Sequence, residues 1–466
     1  MSENTMNEMK KELFYEPAHA AEKLSEQEIA AADLFAEGYK EYMDFAKIER
    51  ESVEFFVNQA EQKGYTEFDR TKKYKAGDKV YYNNRGKSLI LCVIGKKSVG
   101  EGVKISAAHI DSPRIDLKPN PLYEDASLAL FKTHYYGGIK KYQWTAMPLA
   151  LHGVIVRSDG ERIKVRIGED EGDPQFIVTD LLPHLAGEQM KQTMAEGIKG
   201  ENLNILIGSR PFSTDEGSEK VKLNIMKILN EKYGIVESDF LSAELEAVPA
   251  YKARDIGFDR SMVGAYGHDD KVCAYPAAQA IFNVENPEYT CLTVLTDKEE
   301  IGSEGNTGLN SSYMKYFIAD LAVMQGEEPW RVLSKSECLS ADVNAAFDPT
   351  YPEVSEKMNS SFVNNGVVIT KYTGSRGKSS TSDASAEYMG KIRRLLNDNG
   401  VVWQIGELGK VDAGGGGTVA MYVAALDIDV IDLGVPVLSM HAPYEVISKL
   451  DLYMAYRAFK VFFEQK

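Results

Sequence analysis

An α/β fold built on a mixed sheet with helices on both faces, interrupted by an inserted and mainly β domain, is what this sequence predicts. Three observations point to it. Ser88 to Gly95, SLILCVIG, is almost continuously apolar, as a strand covered on both faces must be. After Ser261, short apolar runs alternate with helical patterns, the signature of strands joined by helices. Between about Leu122 and Tyr251 the texture changes to alternating apolar and polar residues, which suits an antiparallel sheet with one wet face. The 466 residues are 44% hydrophobic and 26% charged, enough for two or three globular domains. The expected division is a first part of the main domain at 1–120, the insertion at 121–255 and the second part at 256–466.

Taken in order, Ser25 to about Gly64 carries a long helical pattern, one helix or two, opened by Ser25 as N-cap with Glu28 three residues on. The strand-like runs SLILCVIG and GVKISAAHIDSP follow, and His109 stands at the end of the second. In the insertion, HGVIVRSDGERIKVRIG places Asp159-Gly160 between two alternating runs, where a hairpin turn belongs. The strands TCLTVLT, ECLSADV, VVWQIG and DVIDLGVPVLSMHA come next, with helices between them. The last segment opens with a Ser448-x-x-Asp451 capping pattern and repeats Leu450, Tyr453, Met454, Phe459 and Phe463 at helical spacing.

Composition excludes several function classes. Seventy acidic residues stand against 53 Lys plus Arg, a formal charge of −17. That field opposes binding to a phosphate backbone, so no nucleic-acid partner is expected. No window approaches the roughly 18 unbroken apolar residues of a membrane span, and MSENTMNEMKKELFYEP lacks the apolar core of a signal peptide. No membrane partner and a cytoplasmic location are therefore expected. The four cysteines, Cys92, Cys273, Cys291 and Cys338, form no C-x-x-C pair and read as small buried hydrophobes.

Four strand-like runs end in residue types that bind metals: His109 and Asp111 after KISAA, Glu299 and Glu300 after TVLTD, Asp342 after CLSA, and His441 after VPVLSM. Open α/β sheets place their sites at the carboxyl ends of strands. The conjunction matters more than any member. A lone His is more often a core or surface residue, Asp111 alone suits a turn before Ser112-Pro113, and an acidic pair is commonly a solvated helix face. Glu299-Glu300, however, precede Ile301-Gly302 at a strand-to-loop corner, where one carboxylate can hold a metal while its neighbour faces water as a general base. Asp269 and Asp270 open a helical run, a position that suits a helix cap and also an oxygen donor to two cations. His268 beside them reads as a bystander. Gly414 to Gly417 lack the Gly-Lys-Ser/Thr ending of a P-loop, so close backbone approach, not nucleotide binding, is the expectation there. Thr373 to Ser385 reads as a flexible polar loop in which Arg376 and Lys378 can supply positive charge.

The ordered motifs His109-Ile110-Asp111-Ser112-Pro113, Gly267-His268-Asp269-Asp270-Lys271, Asp297 to Ser303, Ser340-Ala341-Asp342 and Met440-His441 resemble those of the aspartyl aminopeptidase family of dinuclear zinc peptidases, from roughly Phe14 to the C-terminus. The resemblance implies a metalloaminopeptidase with two divalent ions per subunit, zinc foremost and cobalt or manganese as alternatives. It implies that His109 and Asp342 hold one ion, Glu300 and His441 the other, and that Asp269, not Asp270, bridges them. It makes Glu299 the general base and Asp111 the carboxylate that accepts the second imidazole N–H of His109. The insertion is implied to associate subunits, as dimers that build a tetrahedral dodecamer. Peptides with a free amino terminus are the implied substrates. Lys371 and the backbone at Gly416 and Gly417 are the candidate substrate contacts. The family's acid-selective members carry histidines just after the ligand matching Asp342, whereas Val343 to Asp348 here contain none. Acidic and neutral side chains thus both remain open.

Two other function classes suit the same residues. A carboxypeptidase or N-acyl amino acid deacylase would use a similar metal pair but engage a substrate carboxylate, through Arg376 or Gly414 to Gly417. A non-enzymatic, metal-stabilised assembly protein would need the ligands but not a water-facing Glu299.

Overall fold

A computed structural model describes residues 3–15, 17–213 and 217–466. Its centre is a nine-stranded mixed sheet in the order Thr66–Glu67, Lys79–Asn84, Ser88–Val93, Thr290–Thr296, Val103–His109, Glu337–Ser340, Asp429–Gly434, Val367–Thr370 and Trp403–Ile405. Val103–His109 runs parallel to both of its neighbours, Thr290–Thr296 and Glu337–Ser340, so three strands end on the same side. Their side chains alternate between two cores. Leu89, Leu91, Ala108, Leu295 and Leu339 face one, and Ile90, Cys92, Ile105, Val294 and Cys338 the other.

Helices cover both faces, as the continuous apolar runs require. On the first lie Glu26–Phe45, Glu49–Gln62, His268–Phe282, Ala386–Asp398 and Lys449–Phe463; on the second, Tyr313–Gln325, Pro329–Ser334 and Ala420–Ala424. The pattern from Ser25 resolves into two helices because Ala46 to Ile48 leave helical geometry between them. Ser25 and Glu28 form the reciprocal capping box. At the C-terminal helix Ser448 caps the N–H groups of Leu450 and Asp451. The Asp451 carboxylate, however, accepts the N–H groups of Asn364 and Gly366, each at 2.7 Å, and so ties this helix to a distant loop. Phe459, Phe462 and Phe463 are fully buried, each stabilising the fold by about 1.5–3 kcal/mol.

A second, seven-stranded sheet is antiparallel throughout, in the order Arg162–Ile167, Leu149–Val156, Ala243–Pro249, Arg114–Asp125, Leu128–Tyr136, Ile205–Gly208 and Ile177–Val178. Its first strand in the chain, Arg114–Asp125, spans the boundary expected at 121. Leu149–Val156 and Arg162–Ile167 pair across the turn that contains Asp159-Gly160, with Gly160 at φ 87°. Helix Lys220–Tyr233 packs on this sheet and closes a separate core. A small sheet of Arg254–Ile256, Met262–Ala265 and Glu445–Ser448 leads the chain into the helix at His268. All four cysteines are buried and unpaired. No helix among the described residues is long and apolar enough to cross a membrane.

Candidate active site

The three parallel strands deliver their acidic and imidazole groups to the carboxyl ends of the central strands. His109 is the last residue of its strand and Asp342 lies two residues beyond Glu337–Ser340. Glu299 and Glu300 sit in a single 3₁₀ turn after Thr290–Thr296, entered through Lys298 at φ 69° and left through Gly302 at φ 94°. Asp269 and Asp270 belong to the first turn of His268–Phe282, yet their backbone is not helical there, with Asp269 at φ −76° and ψ 111°. His441 follows Pro436–Val437 in a turn at φ 64°.

The expected ligands converge. Asp269 Oδ1 lies 3.0 Å from His109 Nε2, and Asp269 Oδ2 lies 3.2 Å from His441 Nε2. His109 Nε2 is also 3.9 Å from Asp342 Oδ1 and 4.0 Å from Glu299 Oε2, and His441 Nε2 is 3.6 Å from Glu300 Oε2. Two donor clusters stand within ligating range of one another, His109 with Asp269 and Glu300, and His109 with Asp270 and Asp342. Glu300 Oε1 and both oxygens of Asp270 are buried without a hydrogen-bond partner, a condition that a cation relieves. Two imidazoles among several carboxylates are also the donor types that zinc accepts. The residues present therefore fit divalent metal.

Asp111 is fully engaged. It accepts the N–H of Glu299 and of Glu300, both at 3.2 Å, and the hydroxyl of Tyr136 at 2.8 Å. The His109 Nδ1–H points to the Asp111 backbone carbonyl at 3.0 Å, closer than the carboxylate at 3.3 Å. The expected carboxylate contact to His109 is thus shared with the main chain, because the carboxylate is occupied in fixing the acidic turn. Sequence reasoning missed two further groups. Glu445, wholly buried, accepts the N–H of His441 at 2.7 Å and of Asp269 at 3.1 Å; its only trace in the sequence is an acid starting an apolar run. The carbonyl of Gly138 accepts from His441 Nδ1 at 2.8 Å. His268 is a buried bystander, hydrogen-bonded to Tyr39 at 2.6 Å.

Electrostatics follow from this crowding. Burial, reinforced by Asp111 and Asp269 and opposed by the two imidazoles, pushes the Glu299 carboxyl up to about 7. Burial likewise drives Glu300 and Asp342 upward. Burial alone would lower His441, but the Asp269 and Glu300 carboxylates hold it at about 10.

The cluster opens into a cleft of about 490 Å³ lined by Val343, Asn344, Thr373, Leu408, Gly415, Gly416, Gly417, Met421, Tyr422 and Met440. Gly416 and Gly417 thus reach it. Gly414 and Gly415, the second of which also lines the cleft, allow a close approach: a Cβ would stand 1.8 Å from the Leu408 carbonyl and 2.0 Å from the Gly374 carbonyl respectively, so the run lets loops cross. Lys371 does not line the cleft; it and Lys378 pair with Asp383.

A family model described as aminopeptidase I zinc metalloprotease (M18) matches residues 42–463. A probable M18 family aminopeptidase 1 of Clostridium acetobutylicum is 50% identical, over 97% of this chain and 99% of its own. This chain belongs to the M18 family. It is a zinc-dependent aminopeptidase, and the resemblance read from the five motifs is borne out. The crystal structure of an M18 aminopeptidase from Thermotoga maritima has a TM-score of 0.93 to this aminopeptidase at 43% identity, covering 97% of this chain and 100% of that one. The mApe1 dodecamer of S. cerevisiae shares the fold at 20% identity, with a TM-score of 0.75, covering 94% of this chain and 97% of that one.

Proposed function

We propose that this aminopeptidase removes an unblocked N-terminal residue at a site of two divalent ions, zinc foremost, with His109 and Asp342 holding one, Glu300 and His441 the other, and Asp269 bridging. The observation that carries this reading is the Asp269 carboxylate, whose two oxygens address two different imidazoles at 3.0 and 3.2 Å. Bound there, the cations supply Lewis acidity to the scissile carbonyl and to the attacking water. Glu299 takes a proton from that water and returns one to the leaving nitrogen as the C–N bond breaks. Asp111 holds the Glu299 backbone still while this happens, through the N–H it accepts.

The side-chain preference follows from the cleft. Among the described residues no Lys or Arg lines it, whereas Val343, Leu408, Met421 and Met440 do, and Lys371 is engaged by Asp383. Neutral, apolar N-terminal residues fit this lining, and a preference for acidic ones does not. The same lack of a cationic side chain argues against the carboxypeptidase and deacylase readings, which need a partner for a substrate carboxylate. The insertion at 121–255 is read as an oligomerisation domain, building a tetrahedral dodecamer from dimers in a cytoplasmic enzyme. Exposed Leu181, Leu182, Leu185, Met190 and Met194 on it support subunit contact.

The test is hydrolysis of Leu-, Met-, Asp- and Glu-peptides, each with a free and an acetylated amino terminus, by zinc-loaded and EDTA-treated protein. Metal-dependent cleavage of free-amine Leu- and Met-peptides is expected. Turnover of acetylated peptides would overturn the reading.

A further inference from the structure

The last residue of a strand of the second sheet and the two glycines that follow it each touch a different member of the site. Tyr136, the last residue of Leu128–Tyr136, donates its hydroxyl to Asp111 Oδ2 at 2.8 Å. Gly137, at φ 74°, packs so tightly that a Cβ there would stand 3.2 Å from Glu300 Oε2 and 3.3 Å from Glu300 Cβ. The Gly138 carbonyl accepts from His441 Nδ1 at 2.8 Å, and a Cβ on Gly138 would meet that nitrogen at 3.3 Å. A carbonyl can only accept, so Gly138 keeps a proton on His441 Nδ1; with a cation bound among Asp269 and Glu300, Nε2 would give up its own proton and offer its lone pair.

The segment is itself anchored. The Arg114 guanidinium lies 4.0 Å over the Tyr136 ring, and it is held in turn by Glu246 at 3.1 Å and Glu49 at 3.4 Å. These groups are buried where the second sheet meets the helix Glu49–Gln62, so a path of packed, charged contacts runs from that junction through Tyr136 to Asp111.

We propose that Tyr136-Gly137-Gly138 is a positioning segment, through which the inserted sheet sets the orientation of the ligands in its own chain. Tyr136 acts on the His109 side through Asp111, and Gly138 acts on the His441 side. The proposal rests on the two-metal reading above and adds to it a role for the insertion that is separate from subunit contact.

The experiment compares full-length wild type with Y136F and G138A, and with H109A and H441A as controls. Zinc stoichiometry and affinity are measured by competition with a chromophoric chelator, and kcat and KM on a Leu-peptide. Y136F keeps the ring and loses only the hydroxyl; its kcat is expected to fall about tenfold with KM nearly unchanged, and its zinc affinity to fall by a similar factor. G138A is expected to weaken one of the two zinc equivalents about tenfold. Wild-type zinc affinity and kcat in Y136F would overturn the proposal, whether or not G138A folds. If H109A and H441A each retain the full zinc complement, the two-metal reading fails, and this inference with it. If the controls lose zinc while Y136F and G138A bind it as wild type does, the positioning role alone is refuted.

Discussion

The Asp111 carboxylate accepts the backbone N–H of Glu299 at 3.2 Å. A residue two positions past one proposed ligand thereby fixes the main chain of the proposed base, which comes from another strand. D111N keeps the shape but turns one acceptor into a donor that faces other donors. Its kcat/KM should fall about 10–100-fold, with weaker zinc binding. Measured activity within twofold of wild type would remove Asp111 from the machinery.

Glu299 is proposed as the proton carrier and not as a ligand. E299Q should lower kcat by about two to three orders of magnitude and leave the zinc content of the purified protein at the wild-type level. Loss of a zinc equivalent in E299Q would show that the residue holds metal instead.

The lining by Val343, Leu408, Met421 and Met440 predicts that Leu- and Met-peptides are cleaved at least about tenfold faster, in kcat/KM, than Asp- and Glu-peptides, since a buried carboxylate without a cationic partner costs more than 1.4 kcal/mol. Faster turnover of Asp-peptides would contradict this account of the cleft.

Away from the site, His152 lies between Glu51 at 2.9 Å and Glu169 at 3.1 Å, buried where Leu149–Val156 meets the helix Glu49–Gln62. Burial would lower its pKa, but the two carboxylates raise it above the ordinary value, while both carboxylates are lowered. A raised imidazole contributes stability that is fully present below about pH 6.5 and is lost as pH rises; lowered carboxylates contribute above about pH 4.3 and lose it as pH falls. The ion group is thus strongest between these limits. H152Q should be destabilised by about 3 kcal/mol near pH 5.5, and the gap to wild type should narrow toward about pH 9. Denaturant unfolding at several pH values reads this directly, and a gap independent of pH would exclude the charged imidazole.

Much of this architecture was legible in the sequence because periodicity and strand-end chemistry are local. SLILCVIG and TCLTVLT became fully buried strands, and the residues expected as ligands, His109, Asp269, Glu300, Asp342 and His441, do meet, although only their conjunction singled them out. What escaped were groups whose role depends on a fold-level encounter. Glu445 grips two loops through their amides, and nothing in PYEVIS distinguishes such an acid from a surface one. The pair Gly137-Gly138 reads as a turn, and only the assembled structure brings His441 against it. Asp451 looked like part of a cap, yet it tethers Asn364 and Gly366, some 85 positions away.

The placement of Val103–His109 has a consequence for synthesis on the ribosome. Both strands that flank it, Thr290–Thr296 and Glu337–Ser340, emerge only after the whole of the antiparallel sheet has been made. The segment up to His109 therefore waits without its permanent neighbours, its apolar strand edges exposed, while the insertion can already collapse on its own core. A nascent chain halted before residue 290 has one finished sheet and no metal centre, so chaperone demand should concentrate on the first hundred or so residues, not on the segment that interrupts them.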